Sequence, residues 1–237
     1  MTMSVNHSFF NDEVLAALER SLSPDRINTY VNKAHGDKVL ALQLYTWNTA
    51  ISAAFYGPLQ GLEVALRNAM HRELTIRYGD AWYDNPAAGL DAGGLQRLES
   101  AKTSLLRSKC LIGPSRVVAE LPFGFWVSLL GRGGRAVPPD TGRKNYEMTL
   151  WRPALHRAFS HSRLNRRRAH QPLDYLRTFR NRIAHHEPIF NRHLEQDYHS
   201  ILEVTGWICP KTAEWIRLYS RVPELLALDW KDGGVMF

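Results

Sequence analysis

The stretch RNRIAHHEP, residues 180–188, puts Arg180, Asn181, His185, His186 and Glu187 within one short span. Two chemistries suit these residue types. A guanidinium can clamp a carboxylate or phosphate through paired N–H donors. Imidazoles can ligate a metal, and His185, His186, Glu187, His193 and His199 would supply the donors. HHEPIFNRH does not have the two-His helical spacing of a zinc protease. The expectation is therefore no metal and no cofactor. A purely structural role is also open, because histidines at a helix end can bind the last carbonyls and complement the dipole. Pro188 disfavours helical geometry at Glu187, so a helix should end about there.

The element that must carry these residues reads as a helix over 172–186. At about 100° per residue, Leu173, Leu176, Phe179 and Ile183 share one face, and Arg180 falls roughly 20° from Leu173, inside that apolar stripe. Asn181 and His185 fall on the polar side. A buried cation is expensive unless paired or solvated in a cleft. Either Arg180 pairs with an internal carboxylate such as Glu63 or Glu187, or it lines a cleft or subunit interface and faces an anion. An earlier segment, LRNAMH, repeats the theme with Arg67, Asn68 and His71. Glu63, Arg67 and His71 lie four apart. They form either an ion-pair ladder or a support for the same cleft.

Upstream, residues 151–182 hold nine arginines, no lysine and one acid, Asp174. His156, His161 and His170 fall in the same band. A charge run is often only a solvated face. Arginine without lysine favours phosphate contact, because the flat guanidinium both forks onto phosphate and stacks on bases. Arg163, Arg166, Arg167, Arg168, Arg177 and Arg182 are the candidate nucleic-acid contacts, and charge does not decide between RNA and DNA.

The surrounding chain reads as helical nearly throughout. Ser23 caps a helix opened by Pro24 and stopped near Gly36. Asp37 caps the next, which Gly57-Pro58 should break or kink. Asp91 opens another, and GPSRVVAEL and LPFGFWVSLL are short helices. Segment 131–145, GRGGRAVPPDTGRKN, lacks apolar periodicity and reads as an exposed loop, a linker or a mobile flap. The domain reading is an N-terminal extension over 1–24 and a single helical domain over 25–225. The chain has 237 residues, 44% of them hydrophobic, enough for a sizeable core. The net charge of +7 favours anionic partners. Cys110 and Cys209 are far apart and match no ligand spacing. There is no basic-then-apolar leader and no long apolar run, so a soluble, cytoplasmic protein that does not contact membrane is expected.

FRNRIAHHEPIFNR resembles the signature of the Abi-like family of bacterial abortive-infection proteins (the AbiD/AbiF group). LQGLEVALRNAMH, LPFGFWVSLL, YEMTLW and ILEVTGWICPKTAEWI also resemble family segments, in the expected order. The resemblance spans about residues 25 to 220 and is least clear over 131–145. It implies an all-α, HEPN-like helical bundle with additional helices. It further implies an R-x4-6-H ribonuclease site, met by Arg180 with His185 or with His186. In such a site Arg180 stabilises the charged phosphorane, Asn181 orients, and a histidine transfers protons near neutral pH. The implied activity is metal-independent RNA cleavage in phage defence, by a homodimer, with a small RNA or an antitoxin as partner. Two alternatives stand beside it: a non-catalytic RNA-binding module associated with a structured small RNA, and a helical interaction protein whose Arg180 is a structural ion pair.

Overall fold

The computed structural model describes residues 9–109, 111–232 and 234–237. Cys110 and the first residues of the N-terminal extension lie outside the described residues. The described residues are all-α: their single extended pairing is an isolated antiparallel bridge between Arg135 and Arg143. In chain order the helices are α1 (Asp12–Leu22), α2 (Pro24–Lys33), α3 (Lys38–Tyr78), α4 (Ala92–Arg107), α5 (Pro114–Glu120), α6 (Phe123–Leu129), α7 (Arg166–Ala184), α8 (Leu194–Ile208), α9 (Pro210–Tyr219) and α10 (Val222–Leu226). Among the described residues no helix is long and apolar enough to cross a membrane.

Helix starts follow their capping residues. Ser23 Oγ accepts from Arg26 N at 3.4 Å, Asp37 Oδ1 from Leu40 N at 3.0 Å, and Asp91 Oδ1 from Gly94 N at 2.7 Å. Asn11 Oδ1 caps α1 within the expected N-terminal extension. Two boundaries differ from expectation. Helix α3 runs unbroken through Gly57-Pro58. An interior proline costs about 3 kcal/mol. Leu59, Leu62, Leu66, Met70 and Leu74 of the same helix are all buried, and each such side chain returns roughly 1.5–3 kcal/mol, so the helix holds. Helix α7 begins at Arg166, not at Pro172. Asn165 provides the start, its Oδ1 accepting from Arg168 N at 2.9 Å. The Arg166–Arg168 triplet is therefore the first helical turn.

The chain divides into two compact units. The first comprises residues 1–57, 182–198 and 220–237. Its buried Tyr30 stacks against Tyr45 and Phe190, with ring centroids 4.9 and 5.1 Å away. Asn48, also buried, uses Oδ1 to accept from Ile189 N at 2.8 Å and Phe190 N at 3.2 Å. Arg192 forks onto the buried Asp197 at 2.9 and 3.0 Å. These bonds fix the segment that follows the opening motif.

The second unit comprises residues 58–181 and 199–219. Trp82, Phe125 and Trp126 form its aromatic centre, with Phe125 and Trp126 packed edge to face at 5.4 Å. Helix α7 adds Ala169, Leu173, Leu176 and Phe179, all fully buried. Gly61 lets α9 approach α3: a Cβ there would lie 2.7 Å from Ile216 Cδ1.

Candidate functional site

Helix α7 ends in a specific cap. His186 takes φ 55°, the left-handed region. Its N–H donates to the Ile183 carbonyl at 3.0 Å, and Glu187 N–H donates to the Arg182 carbonyl at 2.8 Å. This pair of bonds is the Schellman closure, with His186 at C′. The apolar contact that often accompanies it is replaced by an ion pair, Arg182 Nε to Glu187 Oε2 at 3.2 Å. The Arg26 guanidinium donates to the His186 carbonyl. Pro188 follows, where it cannot extend the helix. His186, Glu187, Pro188 and Arg182 thus all have structural work, within the first unit.

Arg180, Asn181 and His185 have less. Arg180 and Asn181 close the second unit's share of α7, and His185 opens the turn in the first. Among the described residues, no side-chain hydrogen bond or ion pair engages Asn181 or His185, and His185 is exposed. Arg180 is not sealed in the apolar stripe: its side chain is 40% exposed. The long stem leaves the buried row and carries its charge to solvent, as arginine commonly does. Its acid partner is Glu63, expected as one of two candidates, but Nε and Oε2 are 3.9 Å apart. A half-exposed pair at that distance contributes at most about 1 kcal/mol. The other candidate, Glu187, binds Arg182 instead.

The Glu63–Arg67–His71 column does not close into a ladder. Glu63 turns to Arg180, and Arg67 Nε reaches Asn68 Oδ1 at a long 3.5 Å. His71 Nδ1 accepts from Trp82 Nε1 at 3.0 Å. Burial holds the His71 pKa below its ordinary value, opposed by Asp80. His71 is a neutral acceptor in the core wall.

The arginine band sorts into braces and open contacts. Arg166 is a brace: it reaches Glu147 at 3.0 Å and the Leu130 carbonyl at 2.8 Å, and its side chain is 15% exposed. Arg152 shares Glu147 at 3.2 Å. Arg177 pairs with Asp174 at 2.9 Å. Arg163, Arg167 and Arg168 are exposed and have no acid partner among the described residues. A cation in the first turn of a helix meets the positive end of the dipole, so Arg167 and Arg168 favour an added anion.

Segment 131–145 is not a free linker. Asp91 holds its base, with Oδ2 accepting from Gly134 N at 2.5 Å. Ala92 N donates to Arg135 O at 2.9 Å and Lys144 N to Gly134 O at 2.9 Å. Only the tip, 137–143, is exposed throughout. The composition hid this, because the anchoring partners are backbone groups and an aspartate forty residues upstream. The same anchoring brings Arg132 beside Arg97 and His170 along one cleft of the second unit. Sequence reading did not connect these three. The available signal was an arginine flanked by glycines, GRGG.

Among the described residues no three His, Cys, Asp or Glu side chains gather where they could hold a metal ion. No protein-family model matches the chain, and no curated protein or solved structure matches it.

Proposed function

We propose that this chain is a metal-independent HEPN-type endoribonuclease of a bacterial abortive-infection system, acting through Arg180, Asn181 and His185. One observation carries the reading. The helix cap accounts for Arg182, His186, Glu187 and Pro188, but gives no structural reason for the trio that the Abi-like resemblance marks as catalytic. In the proposed reaction His185 takes the proton of a ribose 2′-OH, whose oxygen attacks the adjacent phosphorus. The P–O5′ bond breaks, and His185 gives that proton to the leaving 5′-oxygen. The products are a 2′,3′-cyclic phosphate and a 5′-OH. Arg180 stabilises the phosphorane charge, and its loose tie to Glu63 leaves it free to do so. Asn181 orients phosphate or imidazole. Exposed Arg163, Arg167 and Arg168 would track the backbone. In this reading the protein works as a homodimer, with RNA as substrate and a small RNA or antitoxin as regulator.

The test is cleavage of RNA with EDTA present, comparing wild type with Arg180→Ala and His185→Ala, each checked for matching circular dichroism and melting temperature. Cleavage by wild type alone, leaving cyclic-phosphate ends, is expected. Equal cleavage by all three overturns the assignment. RNA binding by all three without cleavage would favour the second reading, a non-catalytic RNA-binding module, for which the exposed arginines already speak.

A further inference from the structure

We infer that the cleft lined by Arg97, Arg132, Arg167 and His170 in the second unit is a binding site for a ligand carrying consecutive phosphate groups. Two adjoining cavities, of about 410 and 470 Å³, share Gly131, Arg132, His170 and Asp174. Volumes of that order suit a small-molecule ligand or a short stretch of backbone.

The charge in this cleft is uneven once internal pairs are removed. Asp174 is engaged by Arg177, while Asp91, whose oxygens accept from the backbone N–H groups of Gly94 and Gly134, keeps its negative charge and offsets one of the arginines. Arg166 is engaged by Glu147. Arg97, Arg132 and Arg167 remain, and none of them has an acid partner among the described residues. They come from three different elements: α4, the 131–145 segment and α7. A solvated basic face spreads its charges outward. Here Arg97 lines one cavity, Arg167 the other and Arg132 both, so unpaired cations border each hollow and focus the field on whatever enters. Guanidinium forks fit phosphate oxygens. No Phe, Tyr or Trp lines either cavity, so the site offers chiefly charge and N–H donors in place of base stacking.

The segment is also built to hold Arg132 in place. Gly133 has φ 89°, and a Cβ there would lie 2.3 Å from the Lys144 carbonyl oxygen. At Gly134 a Cβ would lie 2.6 Å from Asp91 Oδ2. The Arg132 carbonyl accepts from Tyr146 N at 3.3 Å. Only glycines allow this close fold, which fixes the Arg132 backbone before any ligand arrives and lowers the ordering cost of binding. Burial holds the His170 pKa below its ordinary value, opposed by Asp174 and helped by Arg166 and Arg177.

The phosphates can belong to RNA or to a free nucleotide. The inference requires no cleavage, so it stands or falls apart from the nuclease reading. Inorganic tripolyphosphate and a fully 2′-O-methylated oligonucleotide, which 2′-OH chemistry cannot cut, serve as probes. Calorimetric titration of the whole chain at low salt would compare wild type with Arg97→Ala/Arg132→Ala and with the charge-matched control Arg107→Ala/Arg217→Ala, exposed positions outside the cleft, each variant checked for matching circular dichroism and melting temperature. Tripolyphosphate binding that weakens about tenfold or more only in the first variant is expected. If the oligonucleotide competes, the source is a nucleic-acid backbone; if it does not, the site takes a free nucleotide. Absence of tripolyphosphate binding, or equal weakening in both variants, overturns the inference.

Discussion

Replacing His186 with glycine separates the two histidines of the motif. His186 sits at φ 55° as the C′ residue of the α7 cap. Left-handed geometry costs an L-residue roughly 1–2 kcal/mol, and glycine avoids that cost. Glycine also gives the unfolded chain more freedom, which takes back about 0.4–1 kcal/mol. The carbonyl that receives Arg26 and the N–H that reaches Ile183 are main-chain groups, so the substitution keeps both. The net expectation is a gain of about 0.5–1 kcal/mol, a rise in melting temperature of roughly 1–4 °C for a chain of this size. Alanine at the same place keeps the left-handed cost and should gain nothing. Differential scanning calorimetry at pH 7.5 reads the stability change, and RNA cleavage reads the chemistry. His186→Gly should melt higher and retain cleavage, whereas His185→Ala should melt as wild type and lose cleavage. A lower melting temperature for His186→Gly would show that the imidazole itself supports the cap. Loss of cleavage in a stabilised His186→Gly would move the catalytic role to His186.

The remaining expectations concern the scaffold. Arg166→Ala leaves Glu147 and the Leu130 carbonyl without their main partner and should cost about 1–3 kcal/mol in chemical denaturation, while Arg167→Ala, one position on, should stay within about 0.5 kcal/mol of wild type. Asp91→Ala removes both the α4 cap and the anchor of Gly134; a loss of about 1–3 kcal/mol, with faster hydrogen exchange over 131–145, is expected, and unchanged exchange there would refute the anchoring role. His71 has a folded pKa below its unfolded value, so the unfolded chain takes up the proton first and stability falls as pH drops through about 6.5. The melting temperature should therefore decline from pH 7.5 to pH 5, and His71→Gln should decline less steeply over that window; equal slopes would show that His71 does not stay neutral.

What could be read from the chain and what could not divide along a physical line. Caps at Ser23, Asp37 and Asp91 were legible because each is a local bond between a short polar side chain and a backbone N–H three residues on. The buried face of α7 was legible because helical spacing is regular. Of the break or kink expected at Gly57-Pro58, the break does not occur, because the local proline penalty is visible in sequence while the burial of the leucines that follow it is not. The start of α7 was missed because RRR has no apolar period and its cap, Asn165, precedes an unfavourable run of charge. Segment 131–145 is legible as an exposed loop, but its tie to Asp91 is not, because a contact forty residues away leaves no local trace.

Arginine is where the sequence was most ambiguous, and the structure resolves it by partner. The same side chain in one short span serves as a brace at Arg166, a cap tie at Arg182, a loosely held cation at Arg180 and an open cation at Arg167 and Arg168. Helical position alone does not separate these roles. Arg180 falls between buried neighbours on the wheel yet is 40% exposed, while Arg166, in a polar triplet, is 15% exposed. The difference lies in which acid waits nearby: Glu147 reaches Arg166 at 3.0 Å, and Glu63 reaches Arg180 only at 3.9 Å. A charge already well paired has little to offer an incoming phosphate, because binding would first have to break that pair. The arginines with most to offer an anion are therefore those the fold holds least firmly: Arg180 in α7, and Arg132 and Arg167 at the cleft.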